Sequence, residues 1–283
     1  MLRVGAISYL PDTEIREKRF KAIKQSLQDL RTVIPEDVQI TVIAQNYKDI
    51  VGLPLKNTTF KHYEAGIGQC AARNILLEEF YASNDDFMLY TDDDTAFYDR
   101  YNAVQLFEAL HTNPEWFTQV DCFTGIEGRF TPFTAENEKL GLEDKWVFKK
   151  MQFATSGEFR CIKNVRKYYG MDLFYDSQLK YGEDLHFRLT KLNKINSFVC
   201  RNVICKSRGL VDDMCTLDRM TQEEQEAKYR QTTLDIYRQL GVPVNENGRP
   251  NLSEYRSRIP YLAIYINDGT TSVTPGSKTR KLF

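Results

Sequence analysis

The sequence has no excess of either charge and few residues suited to a zinc site. Its 283 residues carry 38 Lys and Arg against 39 Asp and Glu, which gives a net charge of −1 at pH 7. This balance excludes a protein that is basic throughout, although a local basic groove can exist within a neutral total. The six cysteines form no C-x-x-C pair, and there are only three histidines. Such cysteines predict reduced, buried thiols.

Long apolar runs are also missing. No segment approaches the roughly 20 apolar residues of a membrane span, and residues 1–7 lack the apolar core of a secretory signal. We therefore expect a cytoplasmic protein with no membrane partner. Hydrophobic residues still make up 42% of the chain, which predicts an ordinary globular core.

Strand and helix patterns alternate through the first hundred residues. Apolar, β-branched runs at 4–10, 38–44 and 87–91 predict three strands. Two helices are predicted between them, with buried faces formed by Phe20, Ile23, Leu27 and Leu30 in the first and by Ala72, Ile75, Leu76 and Phe80 in the second. This alternation predicts an α/β fold with a mixed, mostly parallel sheet flanked by helices.

The second half of the chain predicts further strands at 120–124, 146–153 and 198–205, with a helix over 184–192 between the last two. A final helix is expected to begin at Thr221, which forms a capping box with Glu224.

These elements predict one domain over 1–215, with halves of about 1–100 and 101–215. A C-terminal appendage over 216–283 is expected to pack its helix on that domain and to end in a flexible basic tail.

Three aspartates, Asp92 to Asp94, follow the predicted strand at 87–91. Ligands of open α/β sheets bind at the carboxyl ends of strands, and residues i and i+2 of an extended chain project to the same side. Asp92 and Asp94 could therefore hold one Mg²⁺ or Mn²⁺ together with substrate phosphates, which leaves Asp93 for a ribose hydroxyl. The alternative is a solvated acidic turn before the next helix.

A second acidic pair, Glu183 and Asp184, follows Gly182 at the start of a predicted helix. Capping and the helix dipole could explain both acids, and Asp184 is spaced for an i,i+4 ion pair with Arg188. Taken alone, this motif is typical of a structural role.

An arginine follows a glycine turn earlier in the chain. Gly66-Ile67-Gly68 precedes a helix that carries Arg73 away from its apolar face. A guanidinium beside the three aspartates would suit a diphosphate, and the alternative is an ordinary surface arginine. The glycines match neither dinucleotide-binding nor Walker spacings.

The order and separation of these motifs resemble those of family-2-like glycosyltransferases of the GT-A fold, from about residue 3 to about residue 210. The resemblance is carried by Ser8-Tyr9, Gly66 to Asn74, Tyr90 to Asp94, Ala154 to Phe159, Ile162 to Asn164, Phe174 to Asp176 and Tyr181 to Leu185. It implies a Rossmann-like GT-A domain that transfers a hexosyl or pentosyl group from a nucleotide-diphosphate sugar, a UDP-sugar first, to an acceptor hydroxyl.

The resemblance also implies roles for individual residues. Asp92 and Asp94 would hold Mn²⁺ or Mg²⁺, and Asp184, with Glu183 as the alternative, would be the general base. The residues implied for the nucleotide sugar are Ser8, Tyr9, Gln45, Arg73, Asp92, Asp93 and Arg208, and those for the acceptor are Ser156, Gly157 and Lys163.

One departure from the family concerns the metal. Many relatives supply a histidine ligand after the strand that follows the catalytic helix, but this chain has Cys205-Lys206-Ser207-Arg208-Gly209 there. Either Asp212 or Asp213 completes the metal shell, or Lys206 and Arg208 neutralise the diphosphate directly.

Basic and aromatic residues in the second half bear on the acceptor. Their mixture suits a phosphate backbone with stacked bases, or equally a solvated face. The residues concerned are Lys145, Trp146, Phe148, Lys149, Lys150, Lys163, Arg166, Lys167, Tyr168, Tyr169, Arg201, Lys206, Arg208 and those at 278–281.

Compact GT-A-like enzymes of bacteriophages glycosylate hydroxymethylated bases, and this chain is similar to them in size. That likeness makes double-stranded DNA the first acceptor, in the host cytoplasm, with Phe130 and Phe133 as wedges for base flipping. A protein or a soluble glycan is the next acceptor to consider.

Two other classes of protein stay open. A nucleotidyltransferase also places aspartates and a metal at a sheet end, but it releases pyrophosphate. A non-catalytic nucleic-acid-binding module with a decayed nucleotide site is the other, and the intact set of Asp92, Asp94, Arg73 and Asp184 argues against it.

Overall fold

The computed structural model describes residues 1–10, 12, 16–47, 55–127, 146, 148–150, 159–179, 182–207, 222–244, 250–251, 254 and 272–273. Its strands are β1 (Leu2–Tyr9), β2 (Ile40–Gln45), β3 (Thr58–Tyr63), β4 (Phe87–Asp92), β5 (Thr95–Phe97), β6 (Cys122–Glu127), β7 (Phe148–Lys150), β8 (Phe159–Lys163), β9 (Ser197–Ser207) and β10 (Ser272–Val273). Its helices are α1 (Arg16–Val33), α2 (Gln69–Tyr81), α3 (Arg100–Thr112), α4 (Val165–Tyr169), α5 (Glu183–Thr190) and α6 (Gln222–Gln239), with short 3₁₀ turns at Pro114–Phe117 and Leu192–Lys194.

All ten strands belong to one sheet, in the order β10-β7-β9-β6-β8-β4-β1-β2-β3, with β5 paired to β9. The four strands β3, β2, β1 and β4 are parallel neighbours. Beyond β4 the sheet becomes mixed, because β8 runs antiparallel to both β4 and β6, whereas β6 and β9 are parallel. The predicted mixed α/β fold with helices on its faces is confirmed.

Helices cover both faces of the sheet. The predicted stripe of α1 (Ile23, Leu27 and Leu30) is buried with the apolar residues of α3 in one core cluster. The apolar residues of α2 and Phe187 of α5 join a second cluster on the other face. Every residue of the interior strand β2 is buried, which explains its continuous apolar run, since parallel strands are covered on both sides.

Strand β3 and helix α3 are among the elements that were not predicted. Strand β3 is half-exposed and largely polar, so it carries no continuous apolar signal. The sequence of helix α3 did contain a helical signal, because Ala103, Leu106, Phe107 and Leu110 recur at helical spacing and are buried. The side chain of Asp99 caps this helix by accepting from the backbone N–H of Asn102 at 3.1 Å.

The tail that was predicted to be flexible contributes Ser272–Val273, which pairs antiparallel with β7. Of the predicted strand at 146–153, the described part is Phe148–Lys150, and residues 151–153 lie outside the described residues. Within the part of the chain that is described, no helix is both long enough and apolar enough to cross a membrane.

Helix α6 packs on α5, the helix that begins with the predicted catalytic acids. Ile236 and Tyr237 of α6 are buried with Leu185 and Leu189 of α5. Gly182, which precedes α5, has a φ of 68°, and a Cβ added to it would lie 2.7 Å from Cδ1 of Ile236. Only glycine therefore meets both the backbone conformation and the close approach at this point.

We predict that Gly182→Ala destabilises the protein more than Gly170→Ala does. Gly170 has a nearly equal φ of 65° but nothing within 4 Å of an added Cβ, so this control carries only the left-handed backbone cost of about 1–2 kcal/mol. Gly182→Ala should add a packing cost of about 1–3 kcal/mol. Urea unfolding of both variants measures the difference, and equal losses would contradict the contact between Gly182 and α6.

Candidate functional site

The carboxyl ends of the parallel strands β1, β2 and β4 lie at one edge of the sheet. The first residues of α2 and α5 meet the same edge, because Arg73 of α2 contacts both Asp92 at the end of β4 and Asp184 at the start of α5. This edge is where ligands of open α/β sheets bind, and it contains most of the described residues that the sequence analysis assigns to the site.

The glycine turn before α2 is held by Gln45 and Tyr9. The side-chain oxygen of Gln45, at the end of β2, accepts from the backbone N–H groups of Ile67 at 2.9 Å and Gly68 at 3.1 Å. Tyr9 packs against Gly66 so closely that a Cβ there would lie 3.0 Å from the tyrosine ring. Gln45 was predicted to line the nucleotide pocket. In the structure its side-chain oxygen holds the turn that precedes α2.

Asp93 faces inward and ties β1 to the end of β4. Its buried carboxylate accepts from the hydroxyl of Ser8 at 2.6 Å and from the backbone N–H of Tyr9 at 3.2 Å, and it forms an ion pair with Arg19 of α1. Burial raises the pKa of Asp93 to about 6, although Arg19 and Ser8 act in the opposite direction. Ser8 also shares a hydrogen bond with the hydroxyl of Tyr47. Nucleotide contact by Ser8 and Asp93 stays a prediction.

Arg73 lies at the centre of the site. Its guanidinium is buried and contacts Asp92 at 3.1 Å, Asp184 at 2.9 Å and Glu183 at 3.6 Å. Burial lowers the pKa of this arginine, but the acids, with Asp184 first, outweigh burial and raise it well above its usual value. The alternative of a surface arginine is therefore wrong. A side-chain amide also joins this group, since Gln69, turned to satisfy both neighbours, donates to Glu183 and accepts from Arg73.

The two acids at the start of α5 have different environments. Asp184 is a third exposed, and Arg73, Arg160 and Arg188 together lower its pKa against the raising effect of burial. Glu183 is 12% exposed, and burial followed by the charge of Asp184 raises its pKa. At neutral pH Asp184 is therefore the acid held firmly as a carboxylate.

The sequence analysis gave no individual role to three buried residues of the site, Arg160, Tyr90 and Tyr175. Arg160 of β8 donates to the hydroxyl of Tyr175 at 2.6 Å and to that of Tyr90 at 3.1 Å, and it lies 3.6 Å from Asp184. A signal for it existed, because Arg160 interrupts the apolar strand Phe159–Lys163, where every residue is buried. A buried charge inside a strand requires a partner of opposite charge.

The metal assignment rests on Asp92 and Asp94. Burial raises the pKa of Asp92, and the charges of Asp184 and Asp94 add to that effect against Arg73. Asp92 therefore has two further carboxylates near it and one arginine in contact with it. Two carboxylates fit Mg²⁺ or Mn²⁺, since these ions take one or two carboxylates and fill the other positions with phosphate oxygens and water.

A third protein ligand is not found within the described ranges, where no group of three or more His, Cys, Asp or Glu side chains is arranged to hold a metal ion. The backbone of Lys206 pairs with Ala96, two residues after Asp94, so β9 leads past the acidic turn. The residues predicted to complete the site from that side or from the acceptor side lie outside the described residues: Phe130, Phe133, Ser156, Gly157, Arg208, Asp212 and Asp213.

Lys163, predicted to bind the acceptor, lies at the opposite edge of the sheet. It pairs with Phe87 at the start of β4, whereas Asp92 is at the end of that strand, so about 17 Å of strand separates the two positions. The buried ammonium of Lys163 contacts Asp121 at 2.9 Å. This placement corrects the assignment of Lys163, because a buried ion pair at the far edge cannot touch an acceptor beside Asp184.

The basic residues that follow Lys163 are paired at the same far edge. Arg166 contacts Asp172 at 2.6 Å, and Lys167 contacts Asp86 at 2.8 Å. The hydroxyl of Tyr168 donates to Asp86 as well. Burial raises the pKa of Asp86, but the hydrogen bonds from Lys167, the amino group of Met1 and Tyr168 outweigh it and lower the pKa to about 2.

The fold is similar to that of solved glycosyltransferases. The structure of S. aureus TarS matches with a TM-score of 0.53 and 14% identity, over 93% of this chain and 43% of that one. TarS 1-349 in complex with UDP-GlcNAc matches at 0.50 with 15% identity, over 94% and 72%. The Pyrobaculum calidifontis mannosyltransferase PcManGT, in complex with GDP-Man and Mn²⁺, matches at 0.52 with 13% identity, over 92% and 73%.

These likenesses confirm the predicted GT-A fold. The chain spans less than half of the longer TarS structure. No protein-family model matches the sequence, and no curated protein matches it either.

We predict that Asp86→Asn destabilises the protein at neutral pH and not in strong acid. The folded pKa of about 2 is below the ordinary value of 3.8, so the carboxylate contributes stability above pH 4 and loses it as the pH falls toward 2. The wild type should exceed the variant by about 2 kcal/mol at pH 7. Urea unfolding between pH 2 and 7 measures this, with the exposed Asp172→Asn as control. A difference that does not depend on pH would refute the paired state of this basic cluster.

Proposed function

We propose that the protein is a metal-dependent glycosyltransferase that moves a sugar from a nucleotide diphosphate to an acceptor hydroxyl. One observation carries the proposal: the guanidinium of Arg73 joins the carboxylate of Asp92, at the sheet end, to that of Asp184, at the helix start. Asp184 is 111 residues away from Arg73 in sequence, so two motifs that are individually weak converge on one crevice of a GT-A fold.

The donor side of the crevice would be formed by Asp92, Asp94 and Arg73. The two aspartates would hold Mn²⁺ or Mg²⁺, which supplies Lewis-acid stabilisation of a departing diphosphate. Arg73 is permanently charged and already fixed by three acids, so it presents a preorganised positive charge beside the leaving group.

The acceptor side would be formed by Asp184. A general base must be ionised before it can take a proton, and the arginines around Asp184 lower its pKa. The contacts described for its carboxylate end on Oδ1, which leaves Oδ2 for an incoming hydroxyl. Glu183 is 12% exposed whereas Asp184 is a third exposed, so Asp184 is the more accessible of the two acids that the sequence could only rank.

A transfer would then proceed between these two sides. The carbon that carries the sugar's leaving group becomes oxocarbenium-like as the diphosphate departs, as in glycoside hydrolysis. Asp184 takes the proton of the acceptor hydroxyl while Arg73 faces the charge that develops on the diphosphate. A UDP-sugar is the first donor to test, because a TarS fragment was solved with UDP-GlcNAc, and GDP-mannose is the second, because PcManGT was solved with GDP-Man.

The class of acceptor is a separate part of the proposal. DNA is the acceptor that the sequence favours, but Lys163, Arg166 and Lys167 are paired with acids at the far edge. Offering hydroxymethylated duplex DNA, protein and soluble glycan in parallel, and measuring incorporated sugar, identifies the acceptor.

Two rival functions give different products. A nucleotidyltransferase would release pyrophosphate, which mass spectrometry of the products detects. A nucleic-acid-binding module without catalysis would neither bind nor hydrolyse a nucleotide sugar.

We predict that nucleotide sugars raise the melting temperature only when Mn²⁺ is present. A ligand at 100 times its Kd should add about 2.7 kcal/mol to folding stability. Asp92→Asn combined with Asp94→Asn should abolish this gain, and its ligand-free melting temperature should stay within about 4 °C of the wild type. Asp235→Asn on the exposed side of α6 is the matched control. Full stabilisation of the double variant by donor and Mn²⁺ would refute the metal assignment.

We predict that Asp184→Asn lowers turnover by about 100-fold or more, because an amide cannot accept the proton. Donor affinity should be unchanged, since Asp184 lies on the acceptor side. If Asp184 were only a helix-start residue, asparagine would replace it with little effect. Turnover, donor affinity and melting temperature of the one variant decide between these roles. Unchanged turnover would show that Asp184 is not the general base, and Glu183 would then be the residue to test.

A further inference from the structure

A buried polar group lies behind the carboxylate of Asp184. The guanidinium of Arg160 donates to the hydroxyl of Tyr175 at 2.6 Å, and that hydroxyl lies 3.4 Å from Oδ1 of Asp184. Arg160 itself reaches the same oxygen at 3.6 Å. The hydroxyls of Tyr90 and Tyr175 are 2.9 Å apart, so one arginine and two tyrosines form a continuous network that ends on the proposed base.

The network is held rigidly by its surroundings. The ring of Tyr175 stacks on that of Phe187 with centroids 4.0 Å apart and planes 8° apart. The guanidinium of Arg160 lies over the rings of Phe187 at 5.7 Å and Tyr90 at 5.8 Å. Phe187 belongs to α5, three residues after Asp184, so the helix that carries the base also packs the residues that contact it.

Burying this arginine needs a reason. Arg160 is 3% exposed, and removing a guanidinium from water costs several kcal/mol unless a charge of opposite sign is near. The ion pair described for it is with Asp184. Arg73 is shared among Asp92, Glu183 and Asp184, whereas the described ion pair of Arg160 is with Asp184. Both arginines therefore contact Asp184, but only Arg73 is described in contact with Asp92 as well.

We propose that Arg160, acting directly and through Tyr175, is a positioning residue for Asp184: it fixes Oδ1 from inside the fold, keeps the carboxylate ionised and orients Oδ2 toward the acceptor. The inference rests on the proposed function, because it assumes that Asp184 is the general base of sugar transfer. The charged and titratable groups that face Asp184 are Arg73 and Cys70 from α2, Asp92 from β4, Arg160 from β8, Tyr175, and Glu183 and Arg188 from α5.

The test compares Arg160→Met, Arg160→Lys and Tyr175→Phe with the wild type, and uses Arg166→Met at the far edge as the matched arginine control. The pKa of the Asp184 carboxyl is measured by NMR titration with labelled aspartate, and Asp184→Asn assigns the signal. Turnover is measured as a function of pH in the same variants, together with donor affinity and melting temperature.

Removing the cation should raise the pKa of Asp184 by about one in Arg160→Met. The acidic limb of the turnover profile should move to higher pH by the same amount, because a protonated Asp184 cannot act as a base. Arg160→Lys should restore the position of that limb while turnover stays reduced by roughly 10-fold, since an ammonium cannot reproduce the guanidinium geometry. Tyr175→Phe should lower turnover at an unchanged donor affinity, and Arg166→Met should resemble the wild type.

An unchanged pKa of Asp184 in folded Arg160→Met, with an unmoved acidic limb, would overturn the proposal. If Arg160→Met does not fold, Arg160→Lys and Tyr175→Phe decide, and wild-type turnover in both would also overturn it. The titration requires neither donor nor acceptor, so it tests the positioning role of Arg160 independently of the proposed function. A wild type that transfers sugar, with an Asp184 pKa insensitive to Arg160, refutes only the positioning role. A wild type with no transfer refutes the proposed function and this inference with it.

Discussion

The buried guanidinium of Arg73 is the contact on which the rest of the site depends. It draws Asp92 from β4 and Glu183 and Asp184 from α5 to one place, and these carboxylates offset the cost of burying the guanidinium. The approach of α2 that brings Arg73 there is set by Gln45, which holds the turn before the helix. The start of α5 lies close to α6 at Gly182, where an added Cβ would lie 2.7 Å from Cδ1 of Ile236.

The two ends of β4 have opposite electrostatic character. At its start, Lys163 and Lys167 are paired with Asp121 and Asp86, so that edge has little charge left for a partner. At its end the described acids outnumber the arginines that contact them, and burial, followed by the charges of Asp184 and Asp94, raises the pKa of Asp92. Unbalanced carboxylate charge is stabilised by a cation, which is why a ligand is expected at one edge of the sheet and not at the other.

Much of the fold was predictable because its signals are local. The stripe of Ile23, Leu27 and Leu30 specifies a helix with one buried face, and the apolar run of β2 specifies a strand covered on both sides. Strand β3 escaped prediction because a half-exposed edge strand has no such pattern. The chemical class of the site was also predictable, since three aspartates after a buried strand and two acids at a helix start restrict the ligands that can bind there.

The sequence by itself determined the order of strands and helices, the acidic motifs at their ends and the arginine that follows the glycine turn. Only the tertiary structure decided which charges meet: Arg73 bridges two motifs, Arg160 supports Asp184 from inside the fold, and Lys163 faces away from the site. The physical reason is that helix and strand patterns arise between residues a few positions apart. The ion pairs that define the site join residues up to 111 positions apart, and their pairing follows from how β8, α2 and α5 pack on the sheet.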